Sequence, residues 1–245
     1  MGKNKINIKS KYKLSLQNGL KAGLPVAIGY LPIALTFGLL ARNSGLSFIN
    51  TFLMSVMVFA GASQFVAVNL LALGTGIAEI VMTTFILNLR HLLMSASLSQ
   101  KLVESIPERW LFLLSFGITD ETFSVASMKE EKLNDKFIFG LNLISYLAWV
   151  LGTVVGHLLG ASLPEVIQSS MGIALYAMFI GLLVPNLKDS KPGLFTTLIA
   201  IIFSSIFYLL SDIINISEGW EIVLVTIIAS LIATIFFPKG VGENG

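Results

Sequence analysis

The 245-residue chain has no cysteine, only two histidines (His91 and His157), and 12% charged residues, against roughly 25% in a typical soluble domain. Without cysteine, a disulfide framework, a thiolate zinc site, an iron–sulfur cluster and a cysteine nucleophile are all excluded. Two histidines do not make a multi-histidine metal site, so no metal is expected. So little charge excludes an ordinary soluble enzyme, and a net charge of +2 gives no case for nucleic-acid binding. No Gly-x-x-x-x-Gly-Lys-Ser/Thr run is present, which excludes a Walker-type ATP site, and no cofactor is implied.

What the chain does have is apolar residues, 55% of the total. A bilayer crossing needs about 20 mostly apolar residues. Eight runs of that kind are read at 20–41, 48–73, 76–98, 110–127, 137–163, 169–187, 193–210 and 220–237. They are continuously apolar rather than alternating, so helices are expected and a barrel is not. The fold class expected is an all-α polytopic membrane helix bundle of about eight transmembrane segments. It falls into two sets of four, which an axis along the membrane normal would relate. The domains expected are a basic cytoplasmic tail over 1–19, one transmembrane domain over 20–237 and a short tail over 238–245. No cleavable signal peptide is read at the start, because the first apolar run begins late and is broken by Gly23, Pro25, Gly29 and Pro32.

The placement of Lys and Arg gives an orientation. With eight crossings and the N-terminus inside, the N-terminal lysines, the 128–136 loop, Lys188, Lys191 and Lys239 fall on the cytoplasmic side. Only Arg42, Lys101 and Arg109 fall outside, which follows the positive-inside rule and puts both termini in the cytoplasm. A re-entrant second segment is the competing arrangement. It would bring Lys101 and Arg109 inside but send the Lys-rich 128–136 loop outside, so eight crossings are kept.

Ionisable groups inside a span are costly and point to function. Asn88-Leu89-Arg90-His91 lies near the middle of the third run, and Thr119-Asp120-Glu121 lies inside the fourth. A buried guanidinium needs a counter-ion, so Arg90 is expected to pair with Asp120 or Glu121. The other acid is then incompletely compensated and able to carry a proton. Glu121 is assigned as that carrier and Asp120 as the partner of Arg90; the competing reading is an ion pair that only pins two helices. In the second run, Phe59-Ala60-Gly61-Ala62-Ser63-Gln64-Phe65 is small and polar enough to break the helix and offer backbone groups to a substrate. The alternative is a helix-packing patch. Tyr30, beside Pro32 in the first run, adds an aromatic wall. Gly152, Gly156 and Gly160 form a doubled GxxxG face for helix packing, within the chain or against a partner. His157 adjoins that face and reads as structural. An intramembrane serine protease using Ser63 and His157 lacks a supporting motif, and a channel lacks a filter.

With these three motifs in this order and spacing, the sequence resembles the AzlC family, the large subunit of bacterial branched-chain amino acid exporters. The resemblance implies a multi-pass protein of the bacterial cytoplasmic membrane, not an enzyme, that exports leucine, isoleucine and valine together with a small AzlD-type membrane subunit. The site expected for the amino acid comprises Tyr30, Phe59, Gly61, Ala62, Ser63, Gln64, Phe65, Asn88 and Arg90, with Arg90, His91, Asp120 and Glu121 as the charge network. A non-transporting scaffold working through the glycine face is the rival reading.

Overall fold

The structure is a computed structural model and describes residues 15–160, 180, 183–184, 187–188, 190–210 and 216–238. The described residues form helices, plus one isolated parallel bridge between Leu102 and Leu133. In chain order they are α1 (Leu16–Asn43), α2 (Phe48–Met57), α3 (Gly61–Ala72), α4 (Ile77–Ser99), α5 (Glu108–Phe116), α6 (Asp120–Ser127), α7 (Asp135–Leu159), α8 (Lys191–Leu209) and α9 (Glu218–Phe236). Five of them, α1, α4, α7, α8 and α9, are long and apolar enough to cross a membrane. The expected sixth span, 169–187, lies almost wholly outside the described residues.

Helices α1 and α7 make the backbone of the fold. Gly19 and Gly23 sit against Phe137, Leu141 and Ile144 at one end, and Gly38 sits against Thr153 and His157 at the other, so the two helices run parallel. Glycine is required at this seam. A Cβ on Gly38 would collide with the Thr153 carbonyl oxygen, and one on Gly156 would collide with that of Leu35. Gly152 would place its Cβ 2.7 Å from that of Ala34, and Gly160 faces Leu39 and Arg42. The Gly152, Gly156 and Gly160 face is therefore filled by α1 of the same chain. A partner does not dock there, which corrects the alternative left open by the sequence.

The direction of α1 and α7 fixes the two sides of the bundle: an N side, where both begin, and an opposite side, where both end. Helix α2 starts at the opposite side, where Phe48 meets the His157 ring at 5.6 Å, and descends to mid-depth, where Ser55 donates to Thr153 at 3.0 Å. The chain breaks at Val58, Phe59 and Ala60. Helix α3 then climbs back, with Phe65 against Phe37 at 5.3 Å, to the tight turn that leads into α4. The second apolar run is thus a re-entrant hairpin. The fourth run is another, entering from the N side. Helix α5 rises from Trp110 beside Phe139 to Phe116 beside Tyr146, the chain breaks at Gly117, Ile118 and Thr119, and α6 returns to the N side. Its lower end is tied there by Lys101, whose ammonium donates to the carbonyls of Ser127 and Lys129, and by Lys132, which donates to Gln100 at 3.1 Å.

This arrangement revises the expected topology. Runs two and four do not cross, and because both re-enter, the two reversals cancel: the 128–134 loop stays on the N side and Lys101 and Arg109 join it. Helix α9 starts at the opposite side, where Glu79 accepts from Ser217 Oγ and from the Trp220 N–H, and it runs antiparallel to α8, with Phe195 beside Phe236. Among the ten described cations, eight lie toward the N side; Arg42 is at the opposite side and Arg90 is at mid-depth. The relation between the halves also differs from expectation. Hairpin and following helix, α2–α3 with α4 and α5–α6 with α7, repeat with opposite direction. Arg90 follows Gly61, and Trp149 follows Asp120, by the same 29 residues, which is the pattern of an inverted repeat.

Candidate functional site

The two hairpin tips meet in the middle of the bundle. A small cavity lies between them, walled by Tyr30 of α1, Phe59 to Ala62 of the first hairpin, Arg90 and His91 of α4, Thr119 to Glu121 of the second hairpin, and Trp149 of α7.

The tips are chemically unlike. At the start of α6, Thr119 is the N-cap, its hydroxyl accepting from the Thr122 N–H at 3.3 Å, while the Thr122 hydroxyl accepts from the Thr119 N–H at 2.8 Å. Asp120 and Glu121 fill the first turn, where the partial positive charge of a helix start favours carboxylates. Arg90 Nη1 lies 2.7 Å from Asp120 Oδ2, with both side chains about one-third exposed. Asp120 is thus the partner of Arg90. Glu121 turns the other way and accepts from the Tyr30 hydroxyl at 2.5 Å, while Tyr30 also meets Thr119 Oγ1 at 2.6 Å. Arg90 Nε–H is buried and has no partner within the described residues.

At the start of α3, by contrast, Ala60 offers no side-chain cap and the first turn carries no acid. Gly61 and Ala62, the first two residues of that helix, line the cavity. One tip carries carboxylates, and the other is a helix start with neither a capping side chain nor an acid. Between them stand aromatic walls, with Tyr30 edge-on to Phe59 at 6.0 Å and to Trp149 at 5.5 Å.

Of the residues expected at the site, Tyr30, Phe59, Gly61, Ala62, Arg90, His91, Asp120 and Glu121 line the cavity. Four do not. Ser63 donates to Asn88 at 3.0 Å and so joins α3 to α4 below the cavity wall. Gln64, fully buried, accepts from Trp149, and Phe65 packs on Phe37. Ala60 and Thr119, read as parts of motifs but not assigned to the site, also line the wall, and Trp149 is the wall residue absent from the sequence reading. Thr119 carries a legible signal, a Thr followed by acids, which marks a helix start. Trp149 carries none beyond being aromatic. Glu79 also escapes the sequence reading although it is an acid within an apolar run; only 9% exposed, it caps α9.

The family profile described as AzlC protein matches residues 25–163, which contain every cavity residue. An uncharacterized membrane protein of Archaeoglobus fulgidus is 38% identical over 174 residues, 70% of this chain and 76% of that one. The inner membrane protein YgaZ of Escherichia coli is 30% identical over 72% of this chain and 75% of its own length. The branched-chain amino acid transport protein AzlC of Bacillus subtilis is 28% identical over 76% of this chain and 74% of its own. No solved structure matches the chain.

Proposed function

The chain belongs to the AzlC family, and on that premise we propose that it is the large subunit of a secondary exporter of branched-chain amino acids, working by alternating access. The observation that carries this reading is the meeting of two oppositely directed hairpin tips at a cavity with separated charges. A zwitterion fits that polarity. Its carboxylate is held by the N–H groups of Gly61 and Ala62 at the uncapped start of α3, a natural anion site, and by the Nε–H of Arg90, which has no partner among the described residues. Its ammonium faces Asp120 and Glu121, and its apolar side chain lies among Tyr30, Phe59 and Trp149.

Each hairpin reaches the site from one side only. Rocking of one hairpin-and-helix unit opens the cavity to that side while the other unit seals it, as in inverted-repeat transporters. Export against a gradient needs an ion, and Glu121 is the proposed proton carrier. Arg90 already compensates Asp120, whereas among the described residues Glu121 is held by the Tyr30 hydroxyl and by no cation. The N side is the cytoplasmic side, because eight of ten described cations gather there. A small AzlD-type subunit is the proposed partner. The scaffold reading loses its surface, since α1 fills the glycine face.

The test is leucine counterflow in proteoliposomes, with and without the small subunit. Counterflow in the wild type that is lost in a well-folded Arg90→Ala and in Arg90→Lys, which lacks the planar fork, supports the assignment. Wild-type counterflow retained in Arg90→Ala removes the charge network from the mechanism, and no leucine counterflow under any condition refutes the substrate class.

A further inference from the structure

Behind the cavity wall a hydrogen-bond relay joins three elements. Trp149 Nε1–H donates to Gln64 Oε1 at 2.9 Å, Gln64 Nε2 donates to Ser55 Oγ at 3.4 Å, and Ser55 Oγ donates to Thr153 Oγ1 at 3.0 Å. Trp149 and Thr153 lie one turn apart on α7, while Gln64 and Ser55 belong to the two arms of the first hairpin. The relay therefore returns to the helix it started from, and all four side chains are at most 2% exposed. Buried polar groups at such depth are retained only when partnered, and here each amide and hydroxyl is used.

The relay sets where the indole sits. The Trp149 ring lies over the hairpin tip, its Cη2 atom 2.7 Å from where a Cβ on Gly61 would be, and its other face runs along Phe37 at 6.1 Å. Gly61 leaves room for the ring, Phe37 backs it, and Gln64 pins its N–H. The indole edge is then the wall that a substrate side chain meets when its carboxylate sits at the start of α3.

We infer that Trp149 sets the size limit for the substrate's side chain and that Gln64 is a positioning residue acting through it rather than by touching the substrate. This rests on the amino-acid reading of the cavity and deepens it: the substrate class is α-amino acids whose apolar side chain ends at the indole, with larger aromatic ones rejected. Trp149→Phe shortens the wall, and Gln64→Met removes the acceptor while keeping the length, freeing the indole to shift. Both move selectivity in the same direction.

The experiment measures competition of unlabelled phenylalanine against labelled leucine in counterflow, expressed as a ratio of half-inhibitory concentrations, which loss of active protein does not alter. Room for added side-chain volume in an apolar pocket is worth about tenfold or more. Trp149→Phe and Gln64→Met are each expected to shift the ratio by about that much toward phenylalanine, the double variant is expected to shift it no further, and Gln64→Glu, which keeps an acceptor for the indole, is expected to stay close to wild type. Should Gln64→Met not fold, Trp149→Phe against Gln64→Glu carries the same comparison. Leucine-transporting Trp149→Phe with an unchanged ratio overturns the inference, and so does a Gln64→Glu ratio as shifted as that of Trp149→Phe. Absence of leucine counterflow in the wild type instead refutes the function on which the inference rests.

Discussion

Because the chain contains no cysteine, each cysteine introduced into it is unique, and single replacements read the sidedness of both hairpins. The lengths make the prediction sharp. At 1.5 Å per residue the 10 residues of α2 and the 12 of α3 reach about 15 and 18 Å, and the 9 and 8 residues of α5 and α6 about 14 and 12 Å. None approaches the roughly 30 Å hydrocarbon core. Asn50→Cys and Thr75→Cys flank the first hairpin, and Glu104→Cys and Glu130→Cys flank the second. In intact cells a membrane-impermeant maleimide is expected to label the first pair and leave the second pair unlabelled until the membrane is opened. Straightening either hairpin into one span would carry one flank some 30 Å across the bilayer and break the Trp149–Gln64 and Ser55–Thr153 bonds, or the Lys101 ties, that hold it. Opposite labelling of Asn50→Cys and Thr75→Cys, or of Glu104→Cys and Glu130→Cys, refutes the re-entrant architecture.

Gly156→Ala drives a Cβ into the Leu35 carbonyl and is expected to destabilise the bundle by about 1–3 kcal/mol, the usual cost of overpacking; an unchanged melting temperature in detergent argues against the α1–α7 seam. Glu121→Gln is expected to abolish leucine accumulation driven by a pH gradient while sparing counterflow, whereas Asp120→Asn, which strips Arg90 of its partner, is expected to lose both. If both variants still show pH-driven net transport, the proton is carried elsewhere.

The long helices are legible in the sequence because a single-pass apolar run has one meaning. The first, third, fifth, seventh and eighth runs coincide with α1, α4, α7, α8 and α9 to within four residues at each end. The hairpins are not legible the same way. Hydropathy adds both arms of 48–73 across a break of three residues that are themselves small or apolar, so two half-helices have the composition of one span. The break before Gly61 is nonetheless marked by the small polar run that follows it. The break before Asp120 is masked by treating Thr119-Asp120-Glu121 as mid-helix, although the same three residues carry a cap and first-turn acids. That Arg90 pairs with Asp120 or Glu121 follows from charge, since a guanidinium in an apolar run requires a carboxylate, and the structure puts Asp120 on it. Gln64 shows the limit of motif reading. Its place in the polar run implies contact with substrate, while its amide faces Trp149, 85 residues away in sequence.

In the proposed alternating-access mechanism, one site between the hairpin tips is reached from either side of the membrane in turn. Ala62→Cys places a single thiol on the cavity wall at the start of α3. In oriented membrane vesicles of each sidedness, the rate of its modification by a small charged methanethiosulfonate reagent tests that mechanism directly. Modification is expected from both sides, slowed in each case by leucine and not by glutamate. Modification from one side only, or at a rate leucine does not change, contradicts the mechanism.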